Sequence, residues 1–559
     1  MDAGNFIESE VRADIATGRY SRGVCTRFSP EPGGFSHLGH AKASTISLDL
    51  ADSFDGHFVL RMDDTNPEVA RQEFVDAMVE DMRWLHGDRA VADVRFASSY
   101  FETLADYTNQ LILQGDAYVD LLSPKDIRDY RGDFYTPGRP SPFRERAASS
   151  SLSDFEQMLA GKSAPGEMVV RAKIDMASPN MNMRDPIMYR VIQEPHYRQG
   201  EVFAYPLYDF AHPISDAIEG ITHSICGLEF AGHGPIYDWY LQKLKLDEPP
   251  RQIEFGEIGL ENSVLSKRKL RALVNAGVVD GWNDPRLPTL AGLRRLGAPA
   301  SAVVDFCRTT GVSQSISGGL AERSLLDHHI RQALEPTAPR YMGVRKPLRL
   351  ELRNIPADFD TDIRLPVVPE RPEFGEVVVQ LSSSLWIEQD DFMENPPPKY
   401  HRLTVGQSAR LRGACLVRCT GFERNEATGE PEVLYADWSG PAEAKRDLEG
   451  HKVKGTLHWV SRDNAAEVPI REYGDLLSSE QDDDSERTIL ERFSTESLIE
   501  YSSAKVDQAI TELREGTQIQ LVRLGFFTTD VGSDGQQVLN TTVPLRDARF
   551  RQIFAPQPS

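Results

Sequence analysis

Between residues 23 and 87 the apolar positions switch from continuous runs to helical spacing and back. Gly23-Val24-Cys25-Thr26-Arg27-Phe28 is a short apolar run that predicts a strand, and Phe58-Val59-Leu60-Arg61-Met62 predicts a second. A Pro/Gly turn, Ser29 to Gly34, follows the first run, and a helix is predicted from about His40 through Leu50. Asp63-Asp64-Thr65-Asn66-Pro67 ends the second strand. Val75, Met78, Met82 and Leu85 then fall on one helical face, with Gly87 placed to cap it. Strand, loop, helix, strand, helix in this order predicts the start of a nucleotide-binding α/β sheet.

Further along, residues 100–200 read as an insertion. Ser123-Pro124 starts a helix that ends near Gly132, and a basic Pro/Gly-rich loop, Pro137 to Arg146, follows. Ala204 to Phe230 returns to α/β character, and residues 268–335 are helical, with periodic Leu, Ala and Arg. From residue 345 the pattern changes to short alternating strands, namely Pro347–Leu352, Gly375–Leu381 and Lys452–Val460. Asn395-Pro396-Pro397-Pro398 and Gln481-Asp482-Asp483-Asp484 are predicted loops. The last stretch is predicted to be all-β and barrel-forming. No fixed-period repeat is visible.

Composition narrows the class. The 559 residues are 40% apolar, 26% charged and 9% aromatic, as expected of a globular chain of several domains. No apolar run reaches the ~18 residues of a transmembrane helix, and the N-terminus has no basic segment followed by an apolar one, so no membrane partner is expected. Five scattered cysteines argue against a disulfide framework and for a reducing cytoplasm. Cys415 and Cys419 lack a second ligand pair, so zinc is not expected, nor any metal held by the protein alone. The net charge of −23 argues against nucleic acid in bulk, but local patches bind phosphate and net charge does not.

Two segments carry candidate chemistry. Pro30 to Ala43 contains glycines that let backbone approach a ligand, and two imidazoles three residues apart where a strand feeds a helix. The arrangement suits a nucleotide phosphate chain; two surface histidines in a turn is the plain alternative. Val264-Leu265-Ser266-Lys267-Arg268-Lys269-Leu270 sets cations beside a serine, suited to triphosphate oxygens, or to a solvated helix start.

Taken together, His37-Leu38-Gly39-His40 and Leu265-Ser266-Lys267-Arg268 resemble the HIGH and KMSKS signatures of class I aminoacyl-tRNA synthetases. More specifically, the chain is similar to the glutaminyl-tRNA synthetase family. Further blocks match along the whole chain: Arg61 to Pro67, Tyr130-Arg131-Gly132, Arg171 to Pro179, Met183 to Pro186, Tyr205 to His212, Ser215 to Ser224, Gly455 to Ser461 and Val543 to Asp547.

The resemblance implies a Rossmann-type α/β catalytic domain (residues 1–100 and 206–265), split by an α+β acceptor-binding insertion (101–205). A helical connecting domain (266–338) and two anticodon-binding β-barrels (339–559) would follow. It implies activation of L-glutamine by ATP with Mg²⁺, then transfer to the terminal adenosine of tRNA(Gln), by a cytoplasmic monomer. ATP would lie against Glu31, Pro32, Gly33, His37, Leu38, Gly39, His40, Ala41, Lys42, Ala43, Gly227, Glu257, Ile258, Leu265, Ser266 and Lys267. His37, His40 and Lys267 would stabilise phosphate charge, which is catalysis by positioning and electrostatics. Asp63 would bind the substrate's α-ammonium and Tyr208 would use its hydroxyl, with Arg27, His212 and Cys226 lining the same pocket. Arg340, Arg402, Gln520 and Arg523 match positions that contact anticodon bases, and Phe134 the apolar wedge that opens the first acceptor pair.

Glutamate enzymes of this branch typically carry arginine where this chain has Cys226. A cysteine offers no charge to a γ-carboxylate, which favours the amide; Arg27 remains nearby. Departures from the family are Gly33, Ser36 and Leu265, together with Glu257, a charge reversal near the triphosphate, and Gly232, where an acidic residue reads the acceptor minor groove. A glutamate-charging enzyme of the same fold, or a tRNA-binding paralogue with weak charging, are the other readings. Basic segments such as Arg139 to Arg146 predict strongly salt-dependent tRNA binding.

Overall fold

The computed structural model describes residues 5–256, 258–314, 319–359, 361–478 and 486–545, which divide into two compact units. Gln481 to Asp484, Arg546 and Asp547, noted above, lie outside the described residues.

The first unit comprises residues 1–270 with two short later segments, 288–291 and 303–322. The helix α1 (Phe6–Thr17) leads into β1 (Cys25–Phe28), α2 (Leu38–Ser53), β2 (His57–Met62), α3 (Gln72–His86) and β3 (Val94–Phe96). The three strands pair in parallel in the order β1-β2-β3. All of β1, and β2 after its first residue, are buried, which is why they read as continuous apolar runs. Gly87 caps α3 with φ 75°.

An insertion then follows. The elements α4 (Phe101–Gln114), β4 (Ala117–Asp120), α5 (Pro124–Arg131), α6 (Ala148–Leu159), β5 (Val169–Ala172), β6 (Ile187–Val191) and β7 (Ala204–Pro206) supply a four-stranded antiparallel sheet, β4-β5-β6-β7. Ser123 caps α5 by accepting the Asp126 N–H at 3.2 Å, with Pro124 in the first turn, and Gly132 ends the helix. Ala204–Pro206 is the last strand of the inserted sheet, paired antiparallel with β6.

The parallel layer resumes with α7 (Tyr208–Glu219), β8 (His223–Gly227), α8 (Gly234–Leu244) and β9 (Arg251–Phe255). Thr222 ties β8 to β1, its N–H donating to the Cys25 carbonyl at 2.9 Å and its hydroxyl accepting the Cys25 N–H at 2.8 Å. The carboxyl ends of β1, β2 and β8 therefore come to one edge, where open parallel sheets bind ligands.

Residues 268–335 are helical in short pieces, Lys267–Asn275, Leu290–Leu296, Ala300–Thr309 and Arg323–Leu334, with a two-residue strand, Leu320–Ala321, parallel to Gly259–Leu260.

The second unit is sheet-rich and holds most of residues 323–545. A seven-stranded sheet is built on Pro347–Arg353, Ser384–Glu388, Ser408–Leu411, Cys415–Arg424 and Pro431–Pro441. A six-stranded sheet is built on Ile470–Tyr473, Leu498–Tyr501, Gln518–Leu521, Gly525–Val531 and Gln537–Pro544. The predicted strand Lys452–Val460 is instead two two-residue strands. Thr456–Leu457 runs parallel to Ser408–Leu411, while Val460–Ser461 runs antiparallel to Ser384–Glu388. Gly455 begins this change of partner, and a Cβ there would run into the His401 carbonyl.

The two sheets also repeat one pattern of strand pairing. In each, three consecutive antiparallel strands are flanked on one side by a two-residue parallel strand, Thr456–Leu457 in the first and Arg340–Tyr341 in the second. On the other side each has a parallel and then an antiparallel neighbour. Gly406, Gln407, Leu411 and Cys419 in the first sheet match Gly516, Thr517, Leu521 and Thr529 in the second, at a constant offset, through the same backbone hydrogen bonds.

Candidate active site

At the carboxyl edge of the parallel strands lies a cavity of about 990 Å³, within the size range of nucleotide and cofactor sites. Arg27, Glu31, His37, Gly39, His40, Lys42, Ala43, Asp63, Tyr208, His212, Cys226, Gly227, Ile258, Leu265, Ser266 and Lys267 all line it. Residues separated by up to 240 positions are thus gathered around one space. Four expected ATP neighbours, Pro32, Gly33, Leu38 and Ala41, are not on its wall. Leu38 and Ala41 are on the buried face of α2, and Gly33 packs against the Val69 side chain. Glu257 lies outside the described residues.

The two imidazoles are set by backbone. His37 caps α2 and its Nδ1 accepts the Gly39 N–H at 3.1 Å, while His40 Nδ1 accepts the His37 N–H at 3.1 Å. Each Nδ1 being an acceptor, each ring carries its proton on Nε2. Burial, with Lys267 nearby, pushes the His37 imidazolium down to about 3. Burial, followed by His37 and Lys267, holds His40 well below the usual range. Both rings are therefore neutral donors at pH 7. Gly39 is required by this packing, since a Cβ would sit 2.9 Å from His37 Cε1. Lys267 Nζ donates to the Glu31 carbonyl at 3.1 Å, bringing the second signature over the first loop.

Behind the cavity lies a buried ionic network. Arg27 Nε donates to Asp216 Oδ1 at 3.2 Å and its Nη1 to the Ile225 carbonyl at 2.7 Å. Arg61 Nη1 donates to Asp216 Oδ1 at 2.7 Å and Glu219 Oε2 at 2.9 Å. The His212 ring sits between the two guanidinium groups at 2.6 and 3.0 Å and stacks on Tyr208, and Tyr237 donates its hydroxyl to Asp216 at 2.9 Å. Burial opposes ionisation of Asp216, yet Arg27 and Arg61 hold its carboxyl far below the usual range. Two guanidinium groups thus face two carboxylates. Burial pushes the Cys226 thiol up, so it too is neutral.

Asp63, at the end of β2, is different. It is 7% exposed, faces the cavity, and accepts no side-chain hydrogen bond among the described residues. Burial raises its carboxyl to about 7, against the pull of Arg61 and with a push from Glu31. An unpaired carboxylate in such a place is a site for a cation.

Asp216, Glu219 and Arg61 were quoted above only as parts of matched blocks. The signal available was Asp216 four residues after His212 on one helical face. Phe134, 85% exposed, stands on a loop held by the Arg184 guanidinium, which donates to the Arg131, Asp133 and Thr136 carbonyls at 2.9–3.0 Å. The Gly232 carbonyl accepts from the Asn180 and Asn182 amides at 2.8 and 3.1 Å.

In the second unit a cavity of about 770 Å³ gathers Arg340, Arg402, Gln520 and Arg523. Gln520 Oε1 and Arg340 Nε are buried there without a hydrogen-bond partner, which a ligand would satisfy. Lys399, His401, Arg412 and His458 also line it and were not singled out by the sequence. Among the described residues no three His, Cys, Asp or Glu side chains converge as a metal site, and no helix is long and apolar enough to cross a membrane.

Comparison with known proteins gives the same division of labour. The catalytic-domain family of class I tRNA synthetases for E and Q matches residues 23–334, and two anticodon-binding domain families of the same class match 338–438 and 456–530. A glutamine–tRNA ligase of Chromobacterium violaceum is 42% identical over 97% of this chain and 98% of its own length. One from Clostridium kluyveri is 40% identical over 98% of both chains. A solved glutamate tRNA ligase from Elizabethkingia meningosepticum, in complex with its amino acid, aligns over 57% of this chain and 70% of that one, with TM-score 0.42 and 16% identity. With its catalytic-domain family spanning more than half of its length, and a cavity formed where the two signatures meet, this chain belongs to the class I tRNA synthetases of the glutamate and glutamine branch.

Proposed function

We propose that the chain is a glutamine–tRNA ligase, joining L-glutamine to the 3′-terminal adenosine of tRNA(Gln) at the expense of ATP. The observation that carries the choice of glutamine is charge balance. Arg27 and Arg61 are matched by Asp216 and Glu219, and Cys226 adds no charge. A γ-carboxylate placed there would be desolvated without a counter-ion, whereas an amide needs only hydrogen bonds.

In this reading Asp63 takes the α-ammonium and Tyr208, Arg27 and His212 shape the side-chain pocket. The substrate carboxylate then lies against the α-phosphorus of ATP, one of its oxygens attacks, and pyrophosphate leaves. The Nε2–H groups of His37 and His40 donate to phosphate oxygens, and Lys267 neutralises charge that develops on them. No side chain forms a covalent intermediate. Mg²⁺ arrives with ATP on phosphate oxygens and water. A terminal ribose hydroxyl of the tRNA next attacks the acyl carbon and AMP leaves.

The remaining assignments follow the resemblance. Residues 1–100 and 206–265 are taken as the catalytic domain, 101–205 as the acceptor-binding insertion with Phe134 as its wedge, and 266–338 as a helical connector. Residues 339–559 are taken as two barrels that read anticodon bases through Arg340, Arg402, Gln520 and Arg523. A cytoplasmic monomer is the expected form.

The test is charging of total tRNA with labelled glutamine and, in parallel, labelled glutamate, with a pyrophosphate-exchange arm with and without tRNA. Glutamine charging that vanishes in Lys267→Ala supports the proposal. Charging with glutamate overturns the specificity, and tRNA binding without either charge overturns the activity.

A further inference from the structure

One carboxylate in the second unit bridges two sheets through side chains expected to meet tRNA. Asp391 follows the strand Ser384–Glu388 and its side chain is completely buried. Arg402, from the loop that leads into the strand Ser408–Leu411, donates Nη1 to Asp391 Oδ1. Arg523, from the turn of the other sheet's hairpin, donates Nη1 to Oδ2 and Nη2 to Oδ1, both at 2.8 Å. The two arginines remain 30% and 24% exposed and line the cavity.

A second, independent feature concerns backbone. Arg523 has φ 68°, a left-handed conformation that side chains rarely adopt. In the matching turn of the first sheet this position is Gly413, with φ 71°. Retaining arginine where glycine fits the backbone better implies that the guanidinium is needed at that point. Asp391 fixes it there by a two-point contact and shares an oxygen with Arg402. Asp391 lies at the cavity wall with its side chain covered by the two guanidinium groups, and it acts through them. Two cations against one anion also leave one net positive charge facing the cavity.

We propose that Asp391 is a positioning residue of the tRNA-binding pocket, its carboxylate setting the separation and orientation of the Arg402 and Arg523 guanidinium groups that take the bases of a single-stranded loop. This rests on the reading of that pocket given above. Planar guanidinium groups recognise splayed bases by hydrogen bonding and stacking, both of which depend on orientation.

The experiment is steady-state charging by the full-length enzyme with purified tRNA(Gln). Arg402→Ala and Arg523→Ala test the pocket first: if neither raises the tRNA KM, the tRNA reading of the pocket fails and the inference fails with it. If they do, Asp391→Asn is expected to raise the tRNA KM at least ~10-fold, with kcat and the KM values for ATP and glutamine within about twofold. Added to the Arg402→Ala/Arg523→Ala double variant, Asp391→Asn should change the tRNA KM less than about twofold, because the groups it orients are gone. An undiminished effect in that background assigns Asp391 a general structural role and overturns the inference. Should Asp391→Asn fail to fold, Asp391→Glu keeps the charge and displaces both guanidinium groups. A tRNA KM equal to wild type in Asp391→Glu likewise overturns it.

Discussion

Replacing Asp63 by asparagine should trade activity for stability, with a pH signature that follows from its position. In the free enzyme burial raises the Asp63 carboxyl to about 7, so glutamine's ammonium meets a carboxylate that is half protonated at neutral pH. The ammonium pairs only with the ionised form. Below pH 7 log kcat/KM for glutamine should therefore rise with unit slope, and at pH 6 it should be about tenfold below its plateau, about 1.4 kcal/mol. In Asp63→Asn the buried ammonium loses its partner, a cost of about 3–5 kcal/mol, so kcat/KM should fall ~10²–10⁴-fold and lose its slope. Stability should move the other way. The native carboxyl binds its proton more tightly than the unfolded one, so wild-type stability declines as pH rises from about 4 to 7. Asparagine removes that decline, a gain on the order of 4 kcal/mol at pH 8 that vanishes near pH 4. The assays are glutamine kinetics at saturating ATP and tRNA from pH 5.5 to 8.5, and urea unfolding at pH 5.5 and 8. A flat wild-type profile across pH 6–7.5, or unchanged glutamine kinetics in the variant, would refute the assignment of Asp63 to the ammonium.

Three other perturbations separate the parts of the site. Lys267→Ala should slow pyrophosphate exchange ~10²–10³-fold with the unfolding midpoint unchanged, since its bond to the Glu31 carbonyl is exposed. Gly39→Ala sets a Cβ against the His37 ring, so the cap bond is lost; about 1 kcal/mol of stability by urea unfolding and ~10-fold in ATP KM should go together, and an unchanged ATP KM would sink the neutral-donor role of His37. Asp216→Asn leaves two buried guanidinium groups on Glu219 alone, which should cost about 3–5 kcal/mol in urea unfolding. If the protein survives, its preference for glutamine over glutamate should narrow, because the pocket gains net positive charge.

Much of the catalytic unit was legible because its determinants are local. Gly87 beside a helical stripe, Ser123-Pro124 before a helix, and apolar runs buried on both faces each encode their element within a few residues. The gathering of His37, Asp63, Tyr208 and Lys267 was legible only through resemblance, because no spacing along the chain brings residues from four separate segments to one edge. What misled was equally physical. Leu38 and Ala41 lie inside the signature, yet helical periodicity turns them into the core while His37, Gly39 and His40 face the cavity.

The repeated sheets show the limit most clearly. Their likeness resides in backbone hydrogen bonds, which Gly406 and Gly516 share as readily as Gln407 and Thr517 or Cys419 and Thr529, so side-chain identity carries little of it. The position that would best advertise the repeat, the left-handed residue of the hairpin turn, is glycine in one copy and arginine in the other. If Arg523 is there for its guanidinium, then the residue that hides the duplication from sequence is the one that joins the two copies, through Asp391, into a single pocket. Arg523→Gly should then relieve the strained turn, leave the buried Asp391 carboxylate to Arg402 alone, and increase the tRNA KM ~10-fold. A variant that keeps its tRNA KM would mean that the arginine is tolerated at that turn for some other reason.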